Sequence, residues 1–213
     1  MGDGHVGPTA KGRVRDGGVR LRKLFEYVGD QVGLRIEVVI TDGTQPVGYG
    51  VGPVLEARDV MAVLNCEANA PQDLREKALF LSGKILGFDP DLRGGTGHER
   101  AQEILDSGQA LAAMERIIEA QGRNTTPPEL GRLTHEIPAS ADGVVRAIDC
   151  FRIARIARLA GAPLDKGAGL ELFKKMGDAV RQGEALYRIY ACAESEFRFA
   201  TDMAAENNGY TLS

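Results

Sequence analysis

One β-branched run, Leu34-Arg-Ile-Glu-Val-Val-Ile40, stands alone among helix-patterned segments and limits what the first half of this 213-residue chain can fold into. It begins with alternation and ends fully apolar, the pattern of a buried strand. Helices expected on either side favour parallel pairing with its neighbours. A single strand leaves backbone donors and acceptors unpaired on both edges. Only a helix-patterned segment and a polar, glycine-rich tail, Met1 to Lys11, precede it. The rest of its sheet is therefore expected from outside this sequence, and the chain is expected to be the truncated part of a larger fold.

The segments around it are more regular. Val19, Leu21, Leu24, Phe25, Val28 and Val32 mark one face of a helix that Gly33 would end. Val54–Leu64 is a second helix, with Pro53 suited to its first turn. Pro71–Leu86 is amphipathic through Leu74, Ala78, Leu81 and Ile85. After the polar break Gly87–Gly97, Glu99–Gln121 is helical with an interruption near Ser107–Gly108. Arg123–Glu129 is a proline-marked linker, and the texture then changes. Leu133–Ile137, Gly143–Ile148, Glu171–Met176 and Ala185–Tyr190 are expected strands, with Tyr210–Leu212 as an edge strand. Asp149–Leu159 and Ser195–Glu206 are expected helices. The fold class that follows is α/β for residues 1–125, as the C-terminal part of a large mixed domain. Residues 126–213 form a small α+β domain with a barrel-sandwich-like hairpin.

Composition removes several classes of function. Hydrophobic residues make up 43% of the chain and charged ones 26%, enough to build a core. A net charge of -4 provides no basic field for nucleic acid, and the Arg13–Lys23 cluster reads as a solvated helix face. No apolar run has the length of a membrane span, and the N-terminus has no apolar leader region. Cytoplasm is the expected location. Cys66, Cys150 and Cys192 have neither zinc nor redox spacing and read as buried reduced thiols. His98, in a polar loop, and His135, on a strand, have no partner that spacing can place and read as structural.

The turn signals Gly177-Asp178 and Gly183, with Val180, Leu186 and Ile189 pointing inward, resemble the half-barrel hairpin of lipoyl and biotinyl carrier domains. A carrier needs a lysine at a tight exposed turn. Asp165-Lys166 is the only candidate, and it lies between the two half-motifs rather than at the hairpin. A structural sandwich is the better reading, with a non-enzymatic carrier as the alternative.

Between the lone strand and the second helix lies Thr41-Asp-Gly-Thr-Gln-Pro-Val-Gly-Tyr-Gly-Val-Gly-Pro53. Gly48, Gly50 and Gly52 give only G-x-G-x-G, with proline where a dinucleotide turn needs its third glycine. A Walker loop would end in Gly-Lys-Ser/Thr, which is missing. An ion or anion nest of exposed main-chain groups and a structural crossover both remain open. Asp42 at the strand's end is expected to cap its own turn.

The string from Ile40 to Asp59 resembles the corresponding loop and helix of the pyrimidine-nucleoside phosphorylase family, which includes thymidine phosphorylase and an AMP phosphorylase branch. The resemblance continues through Ile104-Leu-Asp-Ser-Gly-Gln-Ala-Leu, Ile118-Glu-Ala-Gln-Gly122, Asp149–Lys166 and the hairpin Gly177–Ile189. Val6-Gly-Pro-Thr-Ala-Lys11 is most similar to the AMP phosphorylase branch.

That resemblance implies phosphorolysis of a nucleoside or nucleoside 5′-monophosphate. Inorganic phosphate is the co-substrate, and the products are a free base and a sugar 1-phosphate. It implies a homodimer and no covalent cofactor. The family's phosphate cradle and base-binding groups have no counterpart here, so no catalytic residue is assigned and the chain alone is expected to be inactive without the missing N-terminal half. Two elements carry over. Lys11 corresponds to a substrate-binding lysine, or else is a solvated tail lysine. Val47 and Gly50 through main-chain carbonyls, and Asp59 through its carboxylate, correspond to potassium ligands. Asp59 stands where the family often has glutamate, and an ordinary first-turn helix acid is the competing reading.

Overall fold

The computed structural model describes residues 4–6, 13–92 and 94–213. The chain begins with strand β1 (Gly4–Val6), helix α1 (Arg13–Val32) and strand β2 (Ile40–Asp42). Strands β1 and β2 pair in parallel, Gly4 opposite Ile40 and Val6 opposite Asp42. The expected strand over residues 34–40 is therefore corrected. Residues 34–39 have no regular structure, and the strand begins at Ile40. The polar tail, which carries no strand pattern of its own, provides the partner. The expected burial is also corrected, because Leu34 is 60% exposed and Ile36 and Ile40 are each 38% exposed.

Strand β3 (Gly50–Val51) leads directly into α2 (Pro53–Leu64), where Pro53 occupies the first turn and needs no amide partner. Helices α3 (Gln72–Leu86), α4 (Thr96–Asp106) and α5 (Gln109–Gln121) follow, with one turn of 3-10 helix at Pro90–Leu92. The expected interruption near Ser107–Gly108 is the break between α4 and α5, where Gly108 takes φ 79°. Val63, Ala70, Leu79, Ala101 and Leu105 form a small helical core.

The remaining elements are β4 (Leu133–Pro138), β5 (Gly143–Ile148), α6 (Cys150–Leu159), β6 (Gly169–Leu172), β7 (Ala179–Val180), β8 (Ala185–Ala191), α7 (Glu194–Glu206) and β9 (Tyr210–Leu212). Two antiparallel sheets result, in the orders β3-β6-β8-β4 and β7-β5-β9. Their inner faces and helices α6 and α7 enclose the main core, in which Ile148, Ile156, Leu170, Leu186 and Ile189 are fully buried. The Asp149 carboxylate accepts from the amides of Phe151 and Arg152 at 3.0 Å, which starts α6. The Arg152 guanidinium donates to the carbonyls of Met203 and Asn207, where α7 ends. The mixed α/β composition with a C-terminal α+β unit agrees with the expected fold class.

Candidate functional site

The glycine-punctuated loop is the place where the helical part and the C-terminal sheets meet. Its far end becomes β3, an edge strand that pairs with β6. There Gly52 (φ 141°, ψ 154°) crosses Gly169 (φ 150°), and a Cβ on Gly52 would come within 3.1 Å of the Gly169 Cα. That backbone region is essentially closed to other residues. Two glycines facing each other let the strand and the start of α2 pass at van der Waals range. The Gly52 amide donates to Glu56 Oε1 at 2.9 Å, so Glu56 caps its own helix from the first turn.

At its near end the loop is held by side chains. Asp42 accepts from the Thr44 amide at 2.9 Å and from its hydroxyl at 3.1 Å, the self-capping turn expected of it. Gln45 Oε1 accepts from the Met176 amide at 2.9 Å, and the Cys150 thiol lies 3.7 Å from the Gly43 carbonyl. Burial raises the pKa of that thiol above the ordinary range.

The middle of the loop sorts its main-chain groups by charge. Amides turn toward carboxylates on the helices. Tyr49 and Gly50 each donate to Asp59 Oδ2 at 2.7 Å, and Gly48 donates to both Asp73 oxygens at 3.2 Å. Two carbonyls turn toward an ammonium. Lys175 Nζ donates to the carbonyls of Pro46 and Gly48, the latter at 2.7 Å, and forms an ion pair with Asp73 Oδ2 at 2.8 Å. The Tyr49 ring centroid lies 5.9 Å from the same ammonium. The lysine side chain is 13% exposed. Gly48 takes φ 78°, and a Cβ there would meet Asp59 Oδ2 at 2.5 Å, so glycine is required.

The potassium ligands implied by resemblance, Val47, Gly50 and Asp59, lie along this same stretch. Asp59 Oδ2 accepts from two amides. The two carbonyls gathered around a positive charge are those of Pro46 and Gly48, not Val47 and Gly50, and the charge is an ammonium. Among the described residues no group of three or more His, Cys, Asp or Glu side chains could hold a metal.

Beside the loop opens a cleft of about 430 Å³, walled by Asp42, Thr44, Gln45 and Val47 on one side and by Asp73 and Glu76 of α3 on the other. Lys11 lies outside the described residues. His98 is exposed at the start of α4, and His135 is exposed on β4. Cys66 and Cys192 are exposed and Cys150 is half-buried, which corrects the expectation of buried thiols; all three are free. Lys166 lies between α6 and β6, away from the hairpin turns, and its ammonium donates to the Pro163 carbonyl at 3.1 Å. Sequence reasoning missed Lys175 and Asp73. Lys175 lies 127 residues from the Gly48 carbonyl it binds, and nothing in local spacing signals such a contact.

Comparison with known proteins places this arrangement in context. Residues 144–211 match the family model described as the pyrimidine nucleoside phosphorylase C-terminal domain. A Bradyrhizobium sp. (strain ORS 278) protein named "Putative thymidine phosphorylase" is 58% identical over 207 residues, covering 97% of this chain and 41% of that protein. Proteins of the same name from Rhodopseudomonas palustris (strain CGA009) and Methylococcus capsulatus (strain Bath) are 58% and 56% identical over 207 residues, 97% of this chain and 40% of each relative. The chain thus spans about two fifths of the length of the curated relatives it matches.

Proposed function

We propose that this chain, a portion of the pyrimidine-nucleoside phosphorylase family carrying that family's C-terminal domain, serves an enzyme that splits a nucleoside with inorganic phosphate into free base and sugar 1-phosphate. The observation that carries the reading is the extent of the identity. At 58% over 97% of the chain, it takes in the helical part and the glycine loop as well as the matched domain. No observation favours a carrier role for Lys166.

In this reaction phosphate attacks the anomeric carbon as the sugar gains oxocarbenium character and the base departs with the bonding electrons. Catalysis then rests on groups placed for the charge that develops. In our reading this chain supplies the cleft beside α3 and the loop that fastens it to the C-terminal sheets. The rest of the longer protein supplies the phosphate cradle and the base-binding groups. Lys11 would add a fixed cation for a substrate phosphate or base oxygen. A 5′-monophosphate substrate as in the AMP phosphorylase branch, a homodimer and a cytoplasmic location are the finer parts of the proposal. Among the described residues no helix is long and apolar enough to cross a membrane. A potassium ion at Val47, Gly50 and Asp59 is the family-based expectation, but the geometry around Lys175 favours a different cation.

The apolar face of α1 supports a division of labour between this chain and the rest of the longer protein. Leu24 is 56% exposed, Phe25 50% and Val32 62%, a stripe suited to burial against further protein. The test is release of thymine from thymidine and phosphate. The isolated chain is expected to yield no sugar phosphate. Co-expression with the remaining part of the Bradyrhizobium relative is expected to restore it. Turnover by the chain alone would overturn the division of labour, and a stable but inactive assembly would overturn the proposed reaction.

A further inference from the structure

The loop's hydrogen-bond accounting leads to an assignment that goes beyond phosphorolysis and does not depend on it. A bent loop that turns two carbonyl oxygens and a carboxylate to one point creates a site for a small cation. Here that point is filled. Pro46 and Gly48 carbonyls and Asp73 Oδ2 surround the Lys175 ammonium, with the Tyr49 ring beyond it. Three acceptors match the three protons of an ammonium, so the nitrogen is fully satisfied without solvent. The Asp59 carboxylate of α2 meets the loop through amides instead, accepting from Tyr49 and Gly50 at Oδ2.

We infer that the Lys175 ammonium is the loop's resident cation, supplied in cis by the C-terminal unit in place of a bound monovalent metal ion. Lysine offers something that a free ion does not. Its backbone continues directly into Met176, whose amide binds Gln45, and the same segment follows β6, which pairs with β3. One residue therefore neutralises the loop's inward-facing oxygens and ties the helical part to the sheets. A free ion would neutralise the oxygens but leave that tie to weaker contacts. A lysine held so firmly also keeps the Asp73 carboxylate at the cleft wall in one position.

The test compares ions and variants on the full 213-residue chain. Thermal unfolding is measured in potassium chloride and in tetramethylammonium chloride at equal ionic strength. Wild type is expected to unfold at the same temperature in both. A potassium-specific rise beyond about 2 °C, roughly what one modest interaction contributes in a chain of this size, would overturn the assignment. In Lys175→Met, amide hydrogen exchange at Gly48, Tyr49 and Gly50 is expected to rise by about tenfold or more, because the loop opens locally once its cation is gone. Amides of α6 keep their wild-type protection. Unchanged exchange at all three loop amides would also overturn it. Should Lys175→Met fail to fold, the wild-type ion comparison decides, supplemented by thallium-205 resonance of the wild-type chain, where a bound signal would contradict the inference.

Discussion

The two ends of this molecule carry equally clear amphipathic patterns and use them differently. In the C-terminal part, α6 and its C-cap residue Ala160 present Ile153, Ile156, Ala157 and Ala160 to a closed core, each at most 3% exposed. In α1, Leu24, Phe25, Val28 and Val32 follow the same helical logic and stay at 46–62% exposure. Periodicity therefore reports that a face is meant to be covered, not that the cover lies in the same sequence. Between the two sits the glycine loop, fastened at one end by strand pairing and in the middle by Lys175.

The largest expected effect breaks the closed end. Ile156→Ala removes most of a side chain with no exposure from between the sheets and α7. The cavity should cost about 3 kcal/mol of stability, read by denaturant unfolding followed through tyrosine fluorescence. A loss below 1 kcal/mol, roughly the cost of a surface change, would mean that this core is not tightly packed.

The next effect strikes the junction. Gly52→Ala forces a Cβ into a conformation that L-residues avoid and against the Gly169 backbone. Strain and contact together should cost about 2 kcal/mol, expressed as early loss of the β3–β6 pairing in hydrogen exchange. Protection of the β3 amides equal to wild type would show that the crossing is looser than it looks.

Much of this arrangement was readable in advance, because it rests on local rules. Asp149 sits one residue before an apolar-periodic run and caps it. The glycines at 177 and 183 set turns at φ 94° and 84°, and the apolar residues beside them, Val180, Leu186 and Ile189, are buried. The failures are non-local. The run at residues 34–40 is β-branched, but its backbone pairs only at Ile40, and the partner strand Gly4–Val6 shows no strand pattern. A two-stranded sheet needs just a few backbone bonds, and those are blind to side-chain type. Lys175 was missed for a related reason. Its acceptors are main-chain carbonyls, which any residue provides. The carbonyls that converge on its ammonium are those of Pro46 and Gly48.

A smaller effect comes from Glu196 in the first turn of α7. Its Oε2 is enclosed next to Asp165, and burial first, then the Asp165 charge and a hydrogen bond shared with that carboxyl, raises its pKa above the usual carboxylate range. The folded state thus holds this proton to higher pH than the unfolded state does. The contribution of this group to stability should be fully present below the ordinary glutamate value and be lost as pH rises through the raised one. Glu196→Gln should remove that part of the slope and slightly raise the unfolding temperature at neutral pH. A steeper fall in the variant would place the titrating group elsewhere.

The smallest effect on stability is expected at the open end, and its smallness is what gives it force. Leu24→Gln with Phe25→Ser deletes two large apolar side chains, each at least half exposed in this chain. If nothing here covers them, the unfolding free energy should change by less than about 0.5 kcal/mol, the range of ordinary surface substitutions. The same pair placed in a co-expressed assembly with the rest of a relative should weaken association by about tenfold or more, since each buried large side chain contributes about 1.5–3 kcal/mol. A loss of several kcal/mol in the isolated chain would mean that α1 folds back on its own neighbours. The contrast between the two ends would then be one of degree only. Unchanged association would instead show that the stripe is not the docking face, whatever its pattern.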